Sequence, residues 1–147
     1  MSDRDYEDTV RWLSRARELE RRIELRSEQA ERLRQSLMPG AARGDGAPGS
    51  KPADWTDRAN AAMEIEQEIA GEIRRLRRVR AEIVRAIERV EDENQRTVLE
   101  LRYIAGLRFE KIAARMSYDR TWVWKLHRRG VMAVAKRVNT SQHKSVL

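Results

Sequence analysis

The chain has 147 residues and no cysteine, which excludes disulfides and thiolate metal sites. Its two histidines, His127 and His143, are too few to form a metal site without carboxylate ligands. No Gly-rich phosphate-binding loop is present, so little remains from which an active site could be assembled. The sequence therefore predicts a protein that is not an enzyme and uses no cofactor or metal.

Long apolar runs are also missing. No stretch of about 18 apolar residues exists, and the opening MSDRDYEDTV lacks the apolar core of a signal peptide. We therefore expect a soluble, cytoplasmic protein with no membrane association. Aromatic residues are scarce at 5%, whereas 37% of the residues are charged. This balance is typical of long amphipathic helices with charged outer faces, and it predicts an all-α fold.

Charge is distributed unevenly along the chain. The last 54 residues, 94–147, hold 12 Lys+Arg and 3 Asp+Glu, a net charge of +9. The preceding 93 residues hold 19 basic and 21 acidic side chains, a net charge of −2. A strongly basic C-terminal third indicates a polyanionic partner for that part of the chain.

Residues 1–92 are predicted to form a long, coiled-coil-like antiparallel helical hairpin. Two segments, 3–37 and 55–90, carry heptad patterns typical of helices that pack along their length. The first seam consists of Trp12, Ala16, Leu19, Ile23, Ala30, Leu33 and Leu37, and the second of Trp55, Ala62, Ile69, Leu76, Ile83 and Val90. A loop over 38–54, with all three prolines and four of the seven glycines, separates them and is predicted to be flexible.

Two helices alone bury only a narrow seam, so the oligomeric state is part of the prediction. A second apolar row on the second helix, at Ile65, Ile73, Val79 and Ile87, widens the stripe beyond what two helices need. We therefore expect a homo-oligomer, with a dimer as the simplest form, assembled through the hairpin. The alternative is a monomer whose hairpin packs on the C-terminal domain.

Three shorter helices are predicted for residues 93–138, followed by a frayed tail over 139–147. The first helix, 95–105, ends at Gly106, a natural C-cap, and the second covers 108–116. A break at Ser117 and Tyr118 follows, and Asp119 is a good N-cap for a last helix that extends to about Arg137. Two helices joined by a short turn, the second one basic, are typical of a helix-turn-helix.

The last helix has one apolar and one basic face. Val123, Leu126, Gly130 and Val134 fall on the side predicted to be buried. The residues predicted to contact DNA are Arg120, Thr121, Trp124, Lys125, Arg128 and Arg129. Lys and Arg can bind guanine edges or phosphates, and Thr can contact a phosphate or a thymine methyl group.

Each of Trp122, Trp124 and His127 has both a structural and a functional interpretation. Trp122 is expected to brace the helix against its neighbour. Trp124 either braces it too or lies on a sugar or base. His127 adjoins the buried face, where a structural hydrogen-bonding role is favoured over a chemical one.

The segment VEDENQRTVLELRYIAGLRFEKIAARMSYDRTWVWKLHRRGV resembles the sigma-70 region 4-like helix-turn-helix of small phage-encoded regulators, the ArpU- and RinA-like late-gene regulator group. The residues that carry the resemblance are LELRYIAG (99–106), FEKIAARM (109–116), Tyr118 and VWKLH (123–127). It implies a three-helix, sigma-70 region 4-like domain after the hairpin. It also implies a DNA-binding transcriptional regulator, encoded by a phage or prophage and active in the bacterial host cell.

By this resemblance, Arg120, Thr121, Trp124 and Lys125 occupy base-reading positions, and host RNA polymerase is a further partner. Ser117 stands where such turns often have Gly, and Gly130 stands where Ala is usual. The protein lacks a promoter-melting region, so we do not expect it to replace a sigma subunit. A small terminase-like DNA-packaging subunit is the alternative function, and a coiled-coil adaptor is a more distant one.

Overall fold

The computed structural model describes residues 3–38 and 52–145, and every regular element in these ranges is a helix. This confirms the predicted all-α class. In chain order the helices are α1 (Asp3–Leu37), α2 (Pro52–Glu88), α3 (Glu93–Leu99, continued by a π-helical turn at Glu100–Ile104), α4 (Phe109–Met116) and α5 (Arg120–Ser145).

The loop predicted over 38–54 ends earlier than expected. Residues 39–51 lie outside the described residues, and α2 begins at Pro52 rather than after residue 54. Proline is favourable in the first turn of a helix, because its missing N–H would have no intrahelical partner there. The proline that was assigned to the loop is therefore the first residue of the helix.

By its contacts the chain divides into two compact units, one formed by Leu19–Arg77 and the other by Met1–Glu18 together with Arg78–Leu147. The predicted domains, 1–92 and 93–138, follow chain order instead. The two divisions differ because the N-terminal part of α1 and the C-terminal part of α2 belong to the same unit as α3, α4 and α5.

In the unit Leu19–Arg77, α1 and α2 are antiparallel, as predicted. Ion pairs connect Arg22 with Glu72 (Nη1–Oε1 4.0 Å) and Arg26 with Glu68. As the residue number rises along α1, the number of the partner falls along α2, which is the order of an antiparallel pair. Arg26 occupies a heptad seam position that is otherwise apolar. From this position its guanidinium forms ion pairs with both Glu68 and Glu72.

The apolar seam of this unit is only partly closed. Ala30 and Ala62 are buried, whereas Ile69 and Leu76 are half-buried. Trp55, predicted as a seam residue, is 50% exposed. It lies in the first turn of α2, and its indole N–H donates to the carbonyl oxygen of Leu37 at 3.4 Å, so it covers the end of α1 rather than filling the seam.

The other unit has the more completely buried core. Its largest fully buried side chains come from all five helices: Leu13, Ile83, Ile87, Val98, Leu99, Ile112, Val123, Val131 and Val134. Leu13 is fully buried although the heptad pattern selects its neighbour Trp12, which is half-buried. Arg15 and Glu82 form an ion pair (3.0 Å) at the edge of this core.

The predicted helix 95–105 is irregular in its second half. α3 begins at Glu93, where Asp92 caps it by accepting a hydrogen bond from the Gln95 N–H at 2.8 Å. At its C-terminal end the Ala105 N–H donates to the Glu100 carbonyl, five residues back. Tyr103 lies within this wider turn and is buried.

The last helix is longer than predicted. α5 continues to Ser145, beyond the expected end near Arg137 and through most of the predicted tail 139–147. No Gly or Pro follows Gly130 in the sequence, so no residue there stops a helix. The polar composition over 139–147 predicts a frayed tail, but a polar composition alone does not stop a helix.

Candidate nucleic-acid interface

The turn between α4 and α5 is fixed by a left-handed residue. Ser117 has φ 59° and ψ 40°, as expected from its place in a turn that often contains Gly. The N–H groups of Ser117 and Tyr118 donate to the carbonyls of Ala114 (3.4 Å) and Ala113 (3.0 Å), which closes the end of α4. Only three residues, 117–119, therefore separate the end of α4 from the start of α5.

Asp119 caps α5, as predicted. Its Oδ1 accepts a hydrogen bond from the Trp122 N–H at 2.8 Å. A capping carboxylate also interacts favourably with the positive end of the helix dipole. The first turn of α5, which holds Arg120 and Thr121, is thereby fixed without using either of those side chains.

The apolar side of α5 is buried as expected. Val123, Leu126, Gly130 and Val134 are all buried, and the first two pack in one cluster with Val98, Ile112 and Ala113. Gly130 lies close to Leu99. A Cβ added to the glycine would be only 3.0 Å from the leucine Cδ1. A small residue at this position allows α3 and α5 to approach closely.

All six residues predicted to contact DNA are exposed in the structure: Arg120, Thr121, Trp124, Lys125, Arg128 and Arg129. These residues are exposed because α5 packs its opposite, apolar side into the core. Their exposure makes them accessible to a ligand, and their role in DNA binding remains a prediction.

The basic side chains of this face differ in their contacts. Arg120 Nη2 lies 3.7 Å from Glu110 Oε1 at a well-exposed site, where an ion pair contributes little. Arg129 lies over the ring of Trp122 at 5.5 Å from the centroid. Within residues 3–38 and 52–145, no ion pair involves Lys125. Lys125 is therefore the cation of this face with the fewest competing contacts.

Arg128 contacts the first turn of α1. Its Nη2 lies 3.5 Å from Asp3 Oδ1, and its guanidinium lies over the Tyr6 ring at 5.1 Å from the centroid. Sequence reasoning missed both partners, since they lie more than 120 positions away in the chain. No local pattern indicates such a contact.

Trp124 packs within the protein on one side. Its ring is stacked on His127 at 5.7 Å between centroids and meets Phe109 edge-on at 6.0 Å. It remains 45% exposed. Trp124 therefore has ring contacts with a neighbouring helix. The sequence predicts this packing role for Trp122 instead. Trp122 is 37% exposed and carries Arg129.

His127 is the buried polar residue at the centre of this aromatic cluster, with 2% exposure. The Tyr103 hydroxyl lies 2.7 Å from its Nε2, and the Tyr6 hydroxyl lies 3.4 Å from its Nδ1. Burial, with a smaller contribution from the Arg102 cation, lowers the pKa of His127 to about 4. Burial also raises the pKa of Tyr103. The neutral imidazole therefore has the structural hydrogen-bonding role that was favoured for it.

The structure thus defines an all-helical protein with two long antiparallel helices and a trio of shorter helices that exposes a basic face on α5. The chain belongs to the family described as protein of unknown function (DUF1492), whose model matches residues 50–135, more than half of the sequence. Searches of curated proteins and of solved structures found no match.

Two further properties of the described residues bear on function. None of the helices in 3–38 and 52–145 combines the length and apolar character needed to cross a membrane. In the same ranges no group of His, Asp or Glu side chains is placed to hold a metal ion.

Proposed function

We propose that this protein binds duplex DNA sequence-specifically and regulates transcription, with α4 and α5 as a helix-turn-helix and α5 as its recognition helix. The observation that carries the proposal is the first half of α5. Four basic side chains, Arg120, Lys125, Arg128 and Arg129, are exposed there, while Val123 and its neighbours anchor the same turns in the core. A firmly packed helix with a basic outer face is what major-groove recognition requires.

The sharp turn at residues 117–119 supports this function. Because Ser117 adopts a left-handed conformation and Asp119 caps α5, the N-terminal end of α5 is exposed rather than covered by a long loop. In a helix-turn-helix it is the N-terminal part of the second helix that contacts base edges. Thr121 and Lys125 lie one turn apart on the exposed side of this part of the helix.

The biological setting follows from the sequence resemblance to phage-encoded late-gene regulators. A phage or prophage protein acting in the cytoplasm of a bacterial host would bind a promoter-proximal site and recruit or block host RNA polymerase. The net charge of +9 over residues 94–147 is consistent with a DNA partner.

The hairpin supplies the proposed means of assembly. Large apolar side chains remain exposed on it, namely Leu25 at 66%, Met63 at 58% and Trp55 at 50%. A dimer that covers them would hold two basic domains together and raise avidity for paired half-sites. Light scattering at micromolar concentration tests this, and a monomer that still binds paired sites tightly would contradict it.

The test of DNA binding is fluorescence anisotropy with a labelled mixed-sequence duplex at several salt concentrations. The affinity should fall steeply between about 50 and 300 mM salt, because each neutralised phosphate releases condensed counterions. Lys125→Ala should weaken binding more than Arg32→Ala, which removes the same charge from an exposed site on α1. An affinity that does not depend on salt, or equal effects of the two variants, would reject the proposal.

A further inference from the structure

The first turn of α1 holds one cation of the proposed DNA-binding face. Asp3 offers a carboxylate 3.5 Å from Arg128 Nη2, and Tyr6 offers its ring face 5.1 Å from the guanidinium carbon. These are two independent attractions, an ion pair and a cation–π contact, and both come from the same turn. Lys125, one turn earlier on α5, forms no ion pair with any described residue.

Tyr6 fixes the position of this turn against α5. Its ring meets Trp124 edge-on at 6.3 Å between centroids, and its hydroxyl lies 3.4 Å from His127 Nδ1. Tyr6 is half-buried as a result. Since Asp3 lies one turn before Tyr6 in the same helix, the carboxylate is held near Arg128 by a packed neighbour.

The ion pair itself faces solvent. The Asp3 side chain is 92% exposed and that of Arg128 is 48% exposed. A DNA phosphate can therefore reach the guanidinium from outside, and Arg128 can turn away from Asp3 without leaving a buried charge unpaired. Carboxylate and phosphate oxygens are the same kind of acceptor for an arginine fork.

We propose that Asp3, held in place by Tyr6, competes with DNA phosphate for Arg128 and so sets the affinity of the DNA-binding face. The inference rests on the proposed function and specifies the regulation of its site. Arg128 is then a cation that α1 withholds from DNA until phosphate displaces the carboxylate. A solvent-exposed ion pair limits the effect to a factor of about 1.5 to 5 in affinity.

The test compares two substitutions that remove one negative charge each from α1. Asp3→Asn releases Arg128, whereas Asp8→Asn removes an exposed carboxylate that pairs with Arg11 on another side of the helix. Equilibrium binding to the same duplex at low salt should be about 1.5- to 5-fold tighter for Asp3→Asn than for Asp8→Asn. Equal gains would mean that only net charge matters, and they would overturn the inference.

A double-mutant cycle isolates the pair. In an Arg128→Gln background, Asp3→Asn should no longer bind more tightly than Asp8→Asn, because the side chain that Asp3 competes for is gone. An advantage of Asp3→Asn that persists in this background would overturn the proposal. Thermal melting by circular dichroism checks that each variant folds.

The outcomes also separate this inference from the function on which it rests. A wild-type protein that does not bind duplex DNA overturns both. A wild-type protein that binds, with equal affinities for Asp3→Asn and Asp8→Asn, overturns only the competition between Asp3 and DNA.

Discussion

The buried imidazole of His127 should make the protein less stable in mild acid. Its pKa is lowered to about 4 in the folded protein by burial and by the Arg102 cation, against an ordinary value of 6.5. Between these two values the unfolded chain binds more protons than the folded one. The stability that depends on the neutral ring is therefore fully present above pH 6.5 and is lost as the pH falls toward 4.

The size of the effect follows from the same linkage. For these two pKa values, the free energy of unfolding should fall by about 2 kcal/mol between about pH 7.5 and about pH 5. The whole shift corresponds to about 3 kcal/mol, which would be reached below the folded-state pKa. Such a loss is a large part of the stability of a small protein.

The assay is urea denaturation of the wild type and of His127→Gln at a series of pH values. Glutamine keeps a polar group beside the Tyr103 hydroxyl but does not titrate, so the carboxylates contribute equally to both curves. The stability difference between wild type and variant should shrink by about 2 kcal/mol as the pH falls from about 7.5 to about 5. Tyr103→Phe, which leaves the imidazole buried, should keep most of the wild-type pH dependence. Parallel curves for wild type and His127→Gln would refute the reasoning.

The turn and the core provide four further predictions. Ser117→Gly should stabilise the protein by about 1 kcal/mol, since glycine adopts the left-handed conformation without strain, and an unchanged melting temperature would contradict this. Asp119→Ala should cost about 1 kcal/mol in urea denaturation through loss of the α5 cap, and Asp119→Asn should cost clearly less. Ile83→Ala, at a fully buried site, should cost about 2–5 kcal/mol by the same method, against about 0.5 kcal/mol or less for the exposed Arg32→Ala. Gly106→Ala should lower the melting temperature, because Gly106 has φ 76° and an added Cβ would meet the Arg17 guanidinium, so an unchanged value would be unexpected.

Much of the fold follows from local patterns in the sequence. The heptad spacing predicts the two long helices, and the loop that joins them predicts their antiparallel pairing. Gly106 and Asp119 mark helix ends, and each has the backbone or capping role that its residue type favours. Ser117 marks the turn, although its left-handed conformation favours glycine. The buried and exposed faces of α5 follow from its 3.6-residue period, which is why all six predicted DNA-contacting residues are exposed.

Contacts between distant parts of the chain could not be predicted in the same way. The pairing of Asp3 and Tyr6 with α5 depends on where the N-terminal turn of α1 packs, and no local pattern encodes that position. The π-helical turn at Glu100–Ile104 departs from the regular period on which the prediction of a helix over 95–105 depends. The sequence predicts the end of α5 near Arg137, whereas the helix continues to Ser145, because a polar composition alone does not stop a helix.

The central claim is sequence-specific recognition of duplex DNA by the exposed face of α5. The most direct measurement is selection from a randomised duplex pool by the wild-type protein and by Lys125→Ala, followed by sequencing of the bound fraction. The wild type should enrich one motif, and Lys125→Ala should still bind duplex DNA but lose preference at one or more positions, at a cost of about 1–3 kcal/mol for each lost base contact. A wild-type protein that enriches no motif, or a Lys125→Ala variant that selects the same motif with the same preference, would contradict the account.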